Sequence, residues 1–136
     1  MHGGNTQLSV AAEEFLPFIA DTDIAGFKHP HRNCVYDEVA ACASMGKDTW
    51  ENMQPQMDRY WGEGFEGKPF SACILLVRRN TPQIAKLEEL WWEEVLHGSY
   101  RDQLSFDYCR WLLDVPITFI PGDPFNSHLM RVNGHN

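Results

Sequence analysis

"SACILLVRRNTPQIAKLEELW", residues 71–91, decides how the rest of the chain is read. Its first seven residues are almost continuously apolar, the pattern of a strand covered on both faces. Asn80-Thr81-Pro82 follows: a capping side chain, then proline at the first helical position, where its missing N–H is no loss. Ile84, Leu87, Leu90, Trp91 and Val95 then recur at helical spacing to about Leu96, and Gly98 closes the helix. A buried strand feeding an amphipathic helix is the unit of a layered α/β protein.

Upstream, Gly62, Gly64 and Gly67 break the chain into a loop. Before them Trp50, Met53, Met57 and Trp61 share one helical face, capped by Asp48 or Thr49, with Pro55 inside. Asn33 is a cap for a helix over residues 34–44, with Val35, Val39 and Cys42 on one face, and Gly46 ends it. Residues 24–27 read as a short strand after the turn Asp21-Thr22-Asp23. Ser9 caps a helix over residues 10–20 that Pro17 kinks or stops. Downstream, Ser99 or Tyr100 opens a last helix, with Leu104, Tyr108, Trp111 and Leu112 expected in the core; Pro116 stops it. Residues 117–120 read as another short strand, and residues 121–136 as an irregular tail. The expected fold is a single helix-rich α/β domain around a small mixed sheet. Three visible strands are few for this many helices, so further strands are expected to be missing.

The totals bound the function. A chain of 136 residues holds one core. With 43% hydrophobic and 22% charged residues it has the balance of a soluble globular protein. No apolar run is long enough for a membrane span, and MHGGNTQLSV lacks the regions of a signal peptide, so a cytoplasmic setting is expected. The net charge of −8 argues against a nucleic-acid partner. Basic residues are scattered, with Arg78-Arg79 the densest pair, which leaves a local pocket for a small anion open. Cys34, Cys42, Cys73 and Cys109 contain no CxxC pair and sit among apolar neighbours; they read as reduced core residues.

Four constellations carry chemistry. Arg101-Asp102-Gln103 stands near a helix start, where backbone N–H groups lack partners. Asp102 serves there either as a plain cap or, with Gln103, as an acid–amide couple able to grip neighbouring hydroxyls such as those of a sugar. Lys28-His29-Pro30-His31-Arg32, followed by Asp37-Glu38, either lines a site or forms a surface turn with an Arg32–Glu38 ion pair. Asp21-Thr22-Asp23 matches a DxD metal motif, but it precedes a strand where that motif should end one. His128, in the tail, is by itself an exposed histidine.

Taken in order, KHPHRNCVYDEV, ILLVRRNT, LWWEEV and RDQLSFDY make this chain resemble the glycosyltransferase-like domain family of plant mucilage and turgor-regulation proteins, over roughly residues 24–112. The resemblance implies a GT-A-type architecture, a sheet with helices on both sides, and transfer of a sugar from a nucleotide-sugar donor to a carbohydrate or other hydroxyl acceptor. It implies Asp102 and Gln103 as the catalytic, sugar-contacting pair, with His128 as a late ligand for a divalent cation, Mn2+ or Mg2+. Arg101, His29, Arg32 and Arg79 become the candidates for substrate and phosphate contacts. The chain departs from the family pattern at its start: the nucleotide-binding half with its acidic metal motif is expected to be absent. Two readings follow. One is a transferase or its acceptor-side part. The other is an inactive transferase-like binding or assembly module, with a second chain covering the missing sheet.

Overall fold

The computed structural model describes residues 6–8, 12–122 and 130–132. Its elements run β1 (Thr6–Leu8), a 3-10 helix (Ala12–Ile19), β2 (Ile24–Lys28), α1 (Val35–Ser44), α2 (Trp50–Gly62), β3 (Ser71–Arg78), α3 (Pro82–His97), α4 (Gln103–Leu113), β4 (Thr118–Phe119) and β5 (Met130–Val132). The result is a helix-rich α/β fold on a small mixed sheet, as the patterning predicts. β2 is central in the order β3-β2-β4, antiparallel to β3 and parallel to β4. β1 and β5 form a separate antiparallel pair. The tail is therefore not wholly irregular: residues 130–132 pair with residues near the start of the chain. A three-residue strand has too short a run to display its period, and its partner is remote in sequence.

Successive β2 side chains point to opposite faces. Ile24 enters the larger core, beneath α1 to α4, whereas Ala25 and Phe27 join a smaller one with Phe15 and Ile19 of the 3-10 helix. The sheet is thus covered on both sides, which the apolar run of β3 requires. A register shift lies between the pairs Gly26–Leu76 and Lys28–Ser71, and Cys73 takes φ 54° within it. The bulge lets Ala72 and Leu75, three apart, face the same core. Gly26 belongs to this crossing point: a Cβ there would lie 2.8 Å from Leu76 Cδ2 and 3.3 Å from the Leu75 carbonyl oxygen.

Local chemistry sets the helix starts. The Thr49 hydroxyl accepts from Asn52 N (3.2 Å) and the Thr81 hydroxyl from Ile84 N (3.3 Å), with Pro82 behind it as expected. α1 differs: its N-cap is Cys34, with no side-chain cap bond, and not Asn33. The first helix is 3-10 throughout, with Pro17 inside it. α4 begins at Gln103, later than Ser99 or Tyr100. Those two residues are held back onto α2 and the turn that precedes it. Ser99 N donates to Gln56 Oε1 (2.9 Å), the Ser99 hydroxyl donates to Asp48, and Tyr100 donates to the Lys47 carbonyl.

The aromatic faces needed correction. Trp111 and Leu112, expected in the core, are 43% and 47% exposed, and Trp50 and Trp61, which share a helical spacing with Met53 and Met57, are 48% and 67% exposed. The buried stripe of α2 is Met53, Gln56, Met57 and Tyr60, and Tyr60 stacks on Tyr108 of α4 with centroids 3.8 Å apart. α4 is fastened to β3 through buried Asp107, which accepts from Ser71 N and Oγ (both 2.7 Å) and from Arg110 Nε and Nη2 (3.1 and 2.7 Å). All four cysteines are free; Cys42, Cys73 and Cys109 are buried as expected, but Cys34 is only half-buried. Among the described residues, no helix is long and apolar enough to cross a membrane.

Candidate functional site

The turn after β2 begins the site. His29 N donates to the Phe70 carbonyl (2.8 Å), and the His29 ring stacks on Phe70 with centroids 5.1 Å apart. His29 Nδ1 accepts from His31 N (3.2 Å) and Arg32 N (3.1 Å). Two donors on Nδ1 leave the ring proton on Nε2. Burial pushes the His29 pKa below its ordinary value; Glu38 opposes this, while Arg32 and His31 add to it. The imidazole is therefore neutral, and its Nε2 lies 3.8 Å from Glu38 Oε1.

Glu38, one turn into α1, is 3% exposed. A buried carboxylate needs donors on all sides. It receives Arg32 Nε, Gln103 Nε2 (2.7 Å) and the Cys42 thiol (3.5 Å). Burial raises the Cys42 pKa, Glu38 raises it further, and Arg101 lowers it. Arg101 thus borders the same cluster from the turn before α4; its backbone N donates to Ser99 Oγ (3.1 Å), and its Nε is buried without a hydrogen-bond partner. Four residues singled out in the sequence, His29, Arg32, Arg101 and Gln103, gather around Glu38 and Cys42. The four come from two segments, the turn after β2 and the start of α4, and α1 supplies Glu38 and Cys42 as the third. Glu38, which the sequence offers only as the ion-pair partner of Arg32, is the hub. The signal for it was an acidic residue on an otherwise apolar helix face.

Asp102 and Gln103 part company. Gln103 turns to Glu38; Asp102 lines a half-open groove of about 340 Å³ with Arg78, Glu88, Trp91, Trp92, Val95 and Tyr100. Asp102 occupies the N-cap position with αR backbone and makes no side-chain cap bond. The plain-cap reading therefore fails. Its carbonyl instead accepts from Trp91 Nε1 (2.8 Å). Trp91 is 8% exposed and Trp92 62%, so one indole builds the floor and the other stands in solvent.

The remaining candidates lie elsewhere. Arg79 donates twice to the Ile19 carbonyl (Nε 3.0 Å, Nη2 2.7 Å) and lies 4.0 Å from Asp23. Antiparallel pairing puts Arg78-Arg79 at the start of β2 and His29 at its end, on the order of 15 Å away by strand rise. Asp23 accepts from the Thr81 hydroxyl (3.0 Å), and Asp21 is exposed. Among the described residues no group of His, Cys, Asp and Glu is arranged to hold a metal ion. His128 lies outside the described residues.

The family model for the TOD1/MUCI70, glycosyltransferase-like domain matches residues 10–127. The chain belongs to this glycosyltransferase-like family. No curated protein and no solved structure matches it.

Proposed function

We infer that this domain transfers a sugar from a nucleotide-sugar to a hydroxyl acceptor, or forms the acceptor-side part of an assembly that does, on a GT-A-type scaffold. One observation carries this reading: the start of α4 presents an acid and an amide into two adjoining polar environments, one with an aromatic wall. Aromatic faces suit the C–H face of a pyranose, and carboxylate oxygens accept from its hydroxyls. Asp102 holds the sugar in the groove. Glu38 accepts from Gln103 Nε2, so the amide is oriented and Oε1 is left to receive a hydroxyl proton donor. Arg101, Arg32 and His29 border the same end of the sheet as candidates for phosphate oxygens, while Arg79 is the weakest of them because it is committed to Ile19. In the transfer the bond from the anomeric carbon to the diphosphate oxygen breaks, a bond to the acceptor oxygen forms, and the acceptor's proton passes to the departing diphosphate. Positioning and electrostatics supply the rate.

A divalent cation, Mn2+ or Mg2+, belongs to the expectation through His128. The described residues form no ligand set for it. The four free thiols support a reducing, cytoplasmic setting. Calorimetry with UDP-, GDP- and CDP-sugars, with and without Mn2+, tests the reading: saturable heat with one donor is expected, lost in Asp102→Asn. Absence of heat with every donor favours the second reading, an inactive binding or assembly module. That alternative rests on β3, which among the described residues is paired along one side only and so offers an edge to a second chain.

A further inference from the structure

A second groove, of about 430 Å³, runs between α1 and α2, lined by Tyr36, Val39, Trp50, Met57 and Trp61 with Gln54 and Asp58. We propose that it binds a linear, uncharged oligosaccharide, the acceptor chain in the sugar-transfer reading. Only the word acceptor rests on that reading; the binding does not.

Three observations converge. Trp50 and Trp61 are eleven residues apart on one helix, three turns within about 20°, so their indoles stand along one line roughly 16 Å long. Both are largely exposed, 48% and 67%, although an indole in a monomer is normally covered. Trp61 is held edge-on against Tyr36 at 5.5 Å, and Tyr36 is itself pinned to the Phe65 carbonyl (2.6 Å), so this end of the wall is preorganised.

The second observation is polar. Gln54 Nε2 donates to Asp58 Oδ1 (3.1 Å) one turn apart, between the two tryptophans. An amide and a carboxylate locked together leave an acceptor-rich strip for hydroxyl donors. The third is charge: the groove is lined by one carboxylate and no cation. That composition disfavours phosphate, nucleotide and polyuronate ligands and suits a neutral one.

Titration of the intact chain with cellotetraose, xylotetraose and mannotetraose, read by the indole N–H resonances, tests this. Saturable movement of Trp50 and Trp61 with a neutral tetrasaccharide is expected, with Trp91 and Trp92 still. Trp61→Ala should weaken binding about tenfold, as expected for a preorganised aromatic anchor. Because both tryptophans are exposed, the variants should keep the parent melting temperature. No movement with any of the three sugars overturns the proposal. So does movement that follows protein concentration without sugar, which would assign the groove to a second copy of the chain. The donor test above is read as heat that Asp102→Asn abolishes, whereas this one is read at Trp50 and Trp61, so the failure of either idea is distinguishable from the failure of the other.

Discussion

At the scale of residues, His29 and Glu38 make claims that can be checked. His29 Nδ1 is occupied by two backbone donors, so protonating it breaks the turn that carries Arg32. The folded pKa lies below the ordinary histidine value of 6.5, so the unfolded chain binds a proton first as pH falls. Stability from His29 is complete above pH 6.5 and declines as pH drops toward the folded value. Replacing it with asparagine, whose Oδ1 can accept from the same amides, should flatten that part of the melting-temperature profile relative to the parent. An unchanged slope would show that the ring does not titrate there. Glu38→Ala leaves Arg32 without its carboxylate. The cost should be about 2–3 kcal/mol in urea unfolding, below the 3–5 of a fully buried pair because Arg32 is 27% exposed. Asp102 is the contrast. It lines the half-open groove and makes no cap bond, so the near-isosteric Asp102→Asn should keep the melting temperature within a few degrees of the parent while abolishing the proposed transfer. A large stability loss with transfer retained would return it to a structural role.

At the scale of elements, α4 matters most because both halves of the candidate site hang from its first turn. Asp107 fastens it to β3, drawing on the Ser71 backbone, the Ser71 hydroxyl and Arg110. Asp107→Ala should cost about 3–5 kcal/mol, the usual penalty for breaking a buried charged network, and circular dichroism melts would register it. A loss under 1 kcal/mol, roughly a single ordinary hydrogen bond, would mean that packing of Leu104, Phe106 and Cys109 holds the helix without it. Element starts were legible wherever a threonine and its acceptor geometry were local, as at Thr49 and Thr81. They were not legible at α4, because Ser99 and Tyr100 are claimed by Asp48, Gln56 and Lys47, some fifty residues away. The tryptophans misled for a related reason. Helical spacing says which residues share a face, and it does not say whether a partner exists to cover that face.

At the scale of the molecule, β2 is where the two cores and the three strands meet. Gly26→Ala places a methyl group 2.8 Å from Leu76 Cδ2 with backbone on the other side. Overpacking of this kind should cost about 1–3 kcal/mol and lower the melting temperature without altering the helix content. Gly98 is a second close approach, its missing Cβ lying 2.6 Å from the Gln56 amide carbon, and it lets the α3–α4 turn rest on α2.

By itself the chain determined what near neighbours can enforce: the apolar strand of residues 71–78, the threonine caps, the helix after Pro82, the free thiols and the motifs of its family. Tertiary structure alone decided that Asp102 and Gln103 diverge, that Glu38 is the hub, that Arg79 belongs to the far end of β2, and that residues 130–132 form a strand. Each of those depends on a hydrogen bond or a packed contact between residues far apart in the chain. Periodicity and capping report only the free energy of a few adjacent residues, so contacts closed by long loops leave no local trace.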